Sequence, residues 1–106
     1  MFAKKSTGNP RMLLPGVTLT PLCSGEKTNM GEFRLQKGYR IPPHSHPFEQ
    51  TGYLISGRVK FRIGEKWHET LPGDSWCIAG NIEHEVDITE DSVIVEIFSP
   101  VRKDYL

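Results

Sequence analysis

Apolar and polar residues alternate with a period of two in one segment of this chain after another. In RVKFRIG (58–64), Val59, Phe61 and Ile63 fall on one side and Arg58, Lys60 and Arg62 on the other. Successive residues of a strand point to opposite faces, so this is the pattern of a half-buried strand. GVTLTPL (16–22), MGEFRLQ (30–36), GYRIPPHSH (38–46), GYLISG (52–57), WHETL (67–71), SWCIA (75–79) and HEVDIT (84–89) read as further strands, and SVIVEIF (92–98) is the strongest. GEK (64–66), PGD (72–74) and GNIE (80–83) are turn signals between them. Good amphipathic helices are absent. Strands cut by turns every eight to twelve residues predict an all-β domain, a small antiparallel β-barrel or jelly roll of two sheets. Residues 1–15 read as a loose N-terminal arm free to pair with a partner subunit, and residues 16–106 as the single domain.

Length and composition narrow this picture. With 106 residues the chain can build one core and not two. Its 10 glycines and 8 prolines are spread along the sequence, as turns between short strands require. Lys+Arg and Asp+Glu both number 13, so the zero net charge offers no argument for nucleic acid or an anionic membrane as partner, a local basic patch aside, and neither is expected. No apolar run is long enough for a transmembrane helix, and the N-terminus lacks the apolar stretch of a signal peptide, which makes the cytoplasm the expected compartment. Cys23 and Cys77 form no CxxC pair; a reducing compartment makes two buried thiols the expectation, with a disulfide between them as the alternative.

The candidate chemistry starts at HSHPFEQ (44–50). Alternate residues of a strand share a face, so His44 and His46 present two imidazoles to one side. Gln50 follows four residues later, and His84 stands far along the chain in HEVDIT. Three imidazole nitrogens and one amide oxygen suit a first-row divalent ion, with positions left open for water or substrate. The alternative is four unrelated surface polar residues. All four donors are neutral, so an ion held there keeps its full +2 charge and favours anionic oxygen ligands. Gln50 cannot act as a base. Glu49 should face away from the site, and His68, between Trp67 and Glu69, reads as a surface histidine.

These residues fit a motif. GYRIPPHSHPFEQTGYLISG (38–57) resembles the first motif of the cupin superfamily, G-x5-H-x-H-x3,4-E-x6-G, with Gln50 where glutamate is commoner. GDSWCIAGNIEHEVDI (73–88) resembles the second, G-x5-P-x-G-x2-H-x3-N, in Gly73 and His84. There Ala79 replaces proline, Asn81 replaces glycine and Ile88 replaces asparagine. Asparagine still suits a turn, because it tolerates the left-handed region. The resemblance implies a cupin barrel holding one Ni, Mn, Fe, Co or Zn ion at His44, His46, Gln50 and His84.

The C-terminal strand adds a second constellation. Alternation puts Val93, Val95 and Ile97 on one face, and Ile94, Glu96 and Phe98 on the other. Both faces are mainly apolar, so a strand covered on each side is expected, one side lining the barrel and the other meeting a second copy in a homodimer. The ending FSPVRKDYL, with HSHPFEQ and Ile63-Gly64, resembles small cupins of pectin and alginate degradation, which linearise 4,5-unsaturated uronate monosaccharides to open-chain keto-uronates. In that family an acid on the last strand, usually aspartate, a phenylalanine two later and an arginine four beyond it belong to the site. The resemblance implies Glu96 and Arg102 as catalytic residues, Phe98 and Arg102 as substrate contacts, and a small anionic sugar acid as substrate. A metal-dependent oxygenase and a non-catalytic sugar-binding sensor are the competing readings.

Overall fold

The structure is a computed structural model that describes all 106 residues, the side chain of Ser6 excepted. Its ten strands are β1 (Arg11–Leu14), β2 (Val17–Ser24), β3 (Asn29–Leu35), β4 (Arg40–His44), β5 (Glu49–Ser56), β6 (Val59–Ile63), β7 (Lys66–Thr70), β8 (Ser75–Ile78), β9 (His84–Ile88) and β10 (Ser92–Ser99). They form a six-stranded sheet in the order β1-β2-β3-β10-β5-β8 and a four-stranded sheet in the order β4-β9-β6-β7. Every pairing is antiparallel. This is the expected all-β architecture, realised as a two-sheet jelly roll rather than as a closed barrel. No helix among the described residues is long and apolar enough to cross a membrane.

Inside the segment expected as an arm, Arg11–Leu14 is β1, paired with β2 of the same chain. The Pro15-Gly16 turn, with Gly16 at φ 79°, returns the chain on itself. Leu13 and Leu14 then pack against the core. Cys23 and Cys77 are free; Cys77 is exposed, not buried as expected, because it faces outward between Trp76 and Ile78.

Apolar residues from both sheets meet in one core. Val17, Leu19, Phe33, Leu35 and Leu54 come from the larger sheet, and Val59, Phe61, Val86 and Ile88 from the smaller. On β10 it is Ile94, Glu96 and Phe98 that face inward, while Val93 and Val95 are half-buried and Ile97 is exposed. The glutamate is therefore carried into the interior by the same alternation that buries its two apolar neighbours.

Candidate metal centre and its cavity

Two connections bring the histidines together. His44, at the end of β4, pairs in register with His84, at the start of β9. His46 lies just beyond β4, and its carbonyl accepts a hydrogen bond from the Asn81 N–H at 2.7 Å. This bond ties the loop that carries His46 to the turn that precedes His84. Asn81 sits at φ 68°, in the left-handed region the second motif assigns to glycine.

The ring centroids of His44 and His84 are 4.1 Å apart, those of His46 and His84 5.0 Å, and those of His44 and His46 5.8 Å. One ligand atom from each histidine lies within 4.8 Å of the others. Their Nδ1 atoms are engaged in the same way. His44 Nδ1 donates to Pro42 O at 2.8 Å, His46 Nδ1 to Phe48 O at 3.1 Å and His84 Nδ1 to Ile82 O at 2.8 Å. A carbonyl only accepts, so each Nδ1 carries the proton and each Nε2 keeps its lone pair. The Nε2 atoms of His46 and His84 are buried without a hydrogen-bond partner. An unpaired buried acceptor is costly, and two that converge fit a cation. The donor set therefore fits a metal ion. Burial also suits the neutral ligand form: it lowers the His84 pKa to about 4, and it lowers that of His46 with help from the positive charge of Arg102.

The site opens into a cavity of about 50 Å³ between the sheets, lined among others by His44, Gln50, His84, Glu96, Phe98 and Arg102. Gln50 is buried on β5, against His46 and Glu96. Glu96 is 3% exposed. Burial raises its pKa to about 8, against the opposing pull of hydrogen bonds from Trp76 and Gln50 and the charge of Arg102. At neutral pH, without an ion nearby, its carboxyl group holds a proton. Phe98 closes one wall at 1% exposure.

Arg102 follows β10 at the mouth of the cavity. Its guanidinium carbon lies 3.8 Å from the Tyr105 ring centroid, 5.2 Å from that of Phe98 and 5.6 Å from that of Phe48. Its Nε reaches Asp104 at 3.3 Å, and its side chain is only 14% exposed. This is a positioned arginine, not one extended into solvent. Glu49 is exposed, as its strand position predicts, and His68 is an exposed histidine as expected.

Three residues of the site escaped the sequence reading. Asn29 is buried at the start of β3; its Oδ1 accepts from the Arg102 N–H at 2.7 Å, and its Nδ2 donates to the Arg102 carbonyl at 3.4 Å. Tyr105 packs edge-on against Phe98, centroids 5.4 Å apart, under Arg102. Trp76 donates to Glu96. A signal existed for the last: alternation with Ile78 turns Trp76 inward, and a buried indole N–H needs an acceptor.

The fold and site together define a small two-sheet β-protein whose three clustered histidines could hold a metal ion. The cupin domain family model matches residues 31–99, and the chain belongs to that family. Among solved structures it is similar to KdgF from Halomonas sp., with 22% identity, full coverage of both chains and a TM-score of 0.93. It is similar to an RmlC-like cupin from Shewanella frigidimarina, with 18% identity over 99% of this chain and 95% of that one and a TM-score of 0.93. A Bacillus subtilis oxalate decarboxylase with Mn(II) centres is 18% identical over 90% of this chain and 28% of its own length, at a TM-score of 0.80. A search of curated protein sequences found no match.

Proposed function

We propose that this cupin is a metal-dependent isomerase that opens 4,5-unsaturated uronate monosaccharides to their keto-uronate form. The observation that carries the reading is a buried carboxyl group, Glu96, in the same cavity as the histidine cluster, with Arg102 also lining that cavity. The resemblance of the tail and of HSHPFEQ to uronate-linearising cupins supports it, and so does the likeness to KdgF over the whole chain.

His44, His46 and His84 would hold the ion, with the Gln50 amide oxygen as fourth ligand. Bound there, a divalent ion supplies a charge that no ligand cancels and polarises oxygen atoms beside it. Arg102 binds the uronate carboxylate through its planar fork, which is held ready by the rings beneath it. Phe98 packs against the sugar face. In the reaction the bond from C1 to the ring oxygen breaks, the anomeric hydroxyl loses its proton and C1 becomes an aldehyde. The ring oxygen is left on C5 as an enolate, and the proton that the anomeric hydroxyl gave up is returned at C4, which turns the enolate into the ketone. Glu96, buried in the same cavity, relays this proton from the hydroxyl to C4. No atom is gained or lost.

The cavity is smaller than the roughly 300–1,000 Å³ of usual ligand pockets. The Arg102–Leu106 segment beside it is held by Asn29 and by Arg11 bonds to the carbonyls of Asp104 and Leu106. The direct experiment incubates metal-loaded protein with unsaturated galacturonate and follows the enol-ether absorbance. Its loss, abolished by Glu96→Gln, is the expected result. Oxygen uptake would replace this reading by an oxygenase, and binding without turnover by a sensor.

We also propose a cytoplasmic homodimer. Its support is the outer face of the six-stranded sheet, where Tyr53, Ile55 and Ile97 are exposed around Val93 and Val95.

A further inference from the structure

The surroundings of Glu96 are built from absent side chains. In register across the larger sheet the row reads Pro21, Gly31, Glu96, Gly52 and Trp76, on β2, β3, β10, β5 and β8. The carboxyl group thus has a glycine on each side. Beyond Gly31 lies a proline, which has no donor to offer. Beyond Gly52 lies Trp76, whose backbone is two strands away from that of Glu96, about 10 Å at usual strand spacing.

The indole crosses that gap because Gly52 is empty. Its Nε1–H points at both carboxyl oxygens of Glu96, 3.2 Å from each. A Cβ placed on Gly52 would fall onto the Nε1 and Cε2 atoms of the ring. Phe61, from the facing sheet, packs on the indole with centroids 4.9 Å apart and holds it down over the glycine. Gln50, two residues before Gly52 on β5, is the other side-chain donor to the carboxyl group; Trp76 is the one that reaches it along this row.

We infer that Trp76 is a positioning residue, fixing the Glu96 carboxyl group in the cavity through a bifurcated indole hydrogen bond that Gly52 makes room for. A glutamate has three rotatable side-chain bonds, and without an anchor its carboxyl group would sample several rotamers. Proton transfer requires it in one place, since a displacement of about 1 Å can cost about 10²-fold in rate. The inference deepens the uronate reading and depends on that reading for its kinetic test alone.

Two measurements test it, and they fail independently. In metal-loaded protein, Trp76→Phe keeps a ring against Phe61 and removes the donor, while Gly52→Ala drives the indole off Glu96. Both should lower kcat by roughly 10- to 100-fold, with KM within about twofold and metal content unchanged. The second measurement needs no turnover. Of the two indole ¹H–¹⁵N signals, that of Trp76 should move upfield in Glu96→Ala, whereas that of the exposed Trp67 should stay. If uronate is not turned over, the function is wrong and the indole signal alone judges the anchor. An indole signal that Glu96→Ala leaves in place overturns the inference, and so does a Trp76→Phe enzyme of unchanged kcat.

Discussion

His84 faces His44 across the β4–β9 ladder, their ring centroids 4.1 Å apart and both Nδ1 atoms tied to carbonyls two residues upstream in their own chain. The strand pairing, not a loop, sets this distance. The cluster should therefore be preformed and bind metal without large rearrangement.

Metal should bind at one ion per chain and raise stability. An ion that binds only the folded state at 100 times its Kd adds about 2.7 kcal/mol. Thermal unfolding with and without added Ni, Mn, Fe, Co or Zn reads this directly. In His84→Ala the shift should vanish and elemental analysis should find no bound ion. A variant that keeps its full complement of metal would remove His84 from the ligand set.

Arg102 should act on binding rather than on the chemical step. Charge-assisted hydrogen bonds contribute about 1.5–3 kcal/mol each. Arg102→Ala should then raise KM by roughly 10- to 100-fold, with a smaller effect on kcat. Arg102→Lys should not restore it, because an ammonium offers no planar fork to a carboxylate or to the Tyr105 ring. Equal loss in kcat and kcat/KM would show instead that Arg102 acts in the transition state.

The strands and the histidines were legible because each depends on spacing along one chain. Period-two alternation located nine of the ten strands, and the motif spacing singled out His44, His46 and His84 before any geometry was known. Alternation also placed Ile94, Glu96 and Phe98 on a common face. What stayed hidden depends on register between strands. Trp76 matters because Gly52 lies between it and Glu96, and Asn29 matters because it meets a backbone 73 residues away. The strand β1 was missed for a different reason: the Pro15-Gly16 break reads as the end of a loose segment, whereas it is a reversal that brings Leu13 and Leu14 back onto the core.

Light scattering should give twice the chain mass at micromolar concentration. Tyr53 and Val95 are register partners at the centre of the exposed apolar face. Tyr53→Glu or Ile97→Glu should dissociate the pair, since a charge buried without a partner at an interface is strongly unfavourable. A monomer mass for the unaltered protein would rule the dimer out and leave the fold as it is.

The metal-free protein should lose stability on both sides of a plateau, and Glu96 should own the alkaline side. Glu96 has a folded pKa of about 8 against an ordinary 4.5. Between these values the folded chain holds a proton that the unfolded chain has lost, so raising the pH favours unfolding. This contribution is complete below 4.5 and gone above about 8. His84 runs the other way, with a folded pKa of about 4 against 6.5. Between those values the unfolded chain takes up a proton that the folded chain refuses, so acidification favours unfolding. From pH 4.5 to 6.5 the two slopes oppose each other, and from 6.5 to about 8 only that of Glu96 remains. Each slope approaches about 1.4 kcal/mol per pH unit. Denaturant titrations of chelator-treated protein at pH 6.5 and 8 should show the decline, and Glu96→Gln should flatten it. A bound ion should flatten it as well, because its positive charge favours the carboxylate. An equal alkaline decline in Glu96→Gln would mean that the buried carboxyl group does not hold its proton at neutral pH, and its role as proton relay would lose its basis.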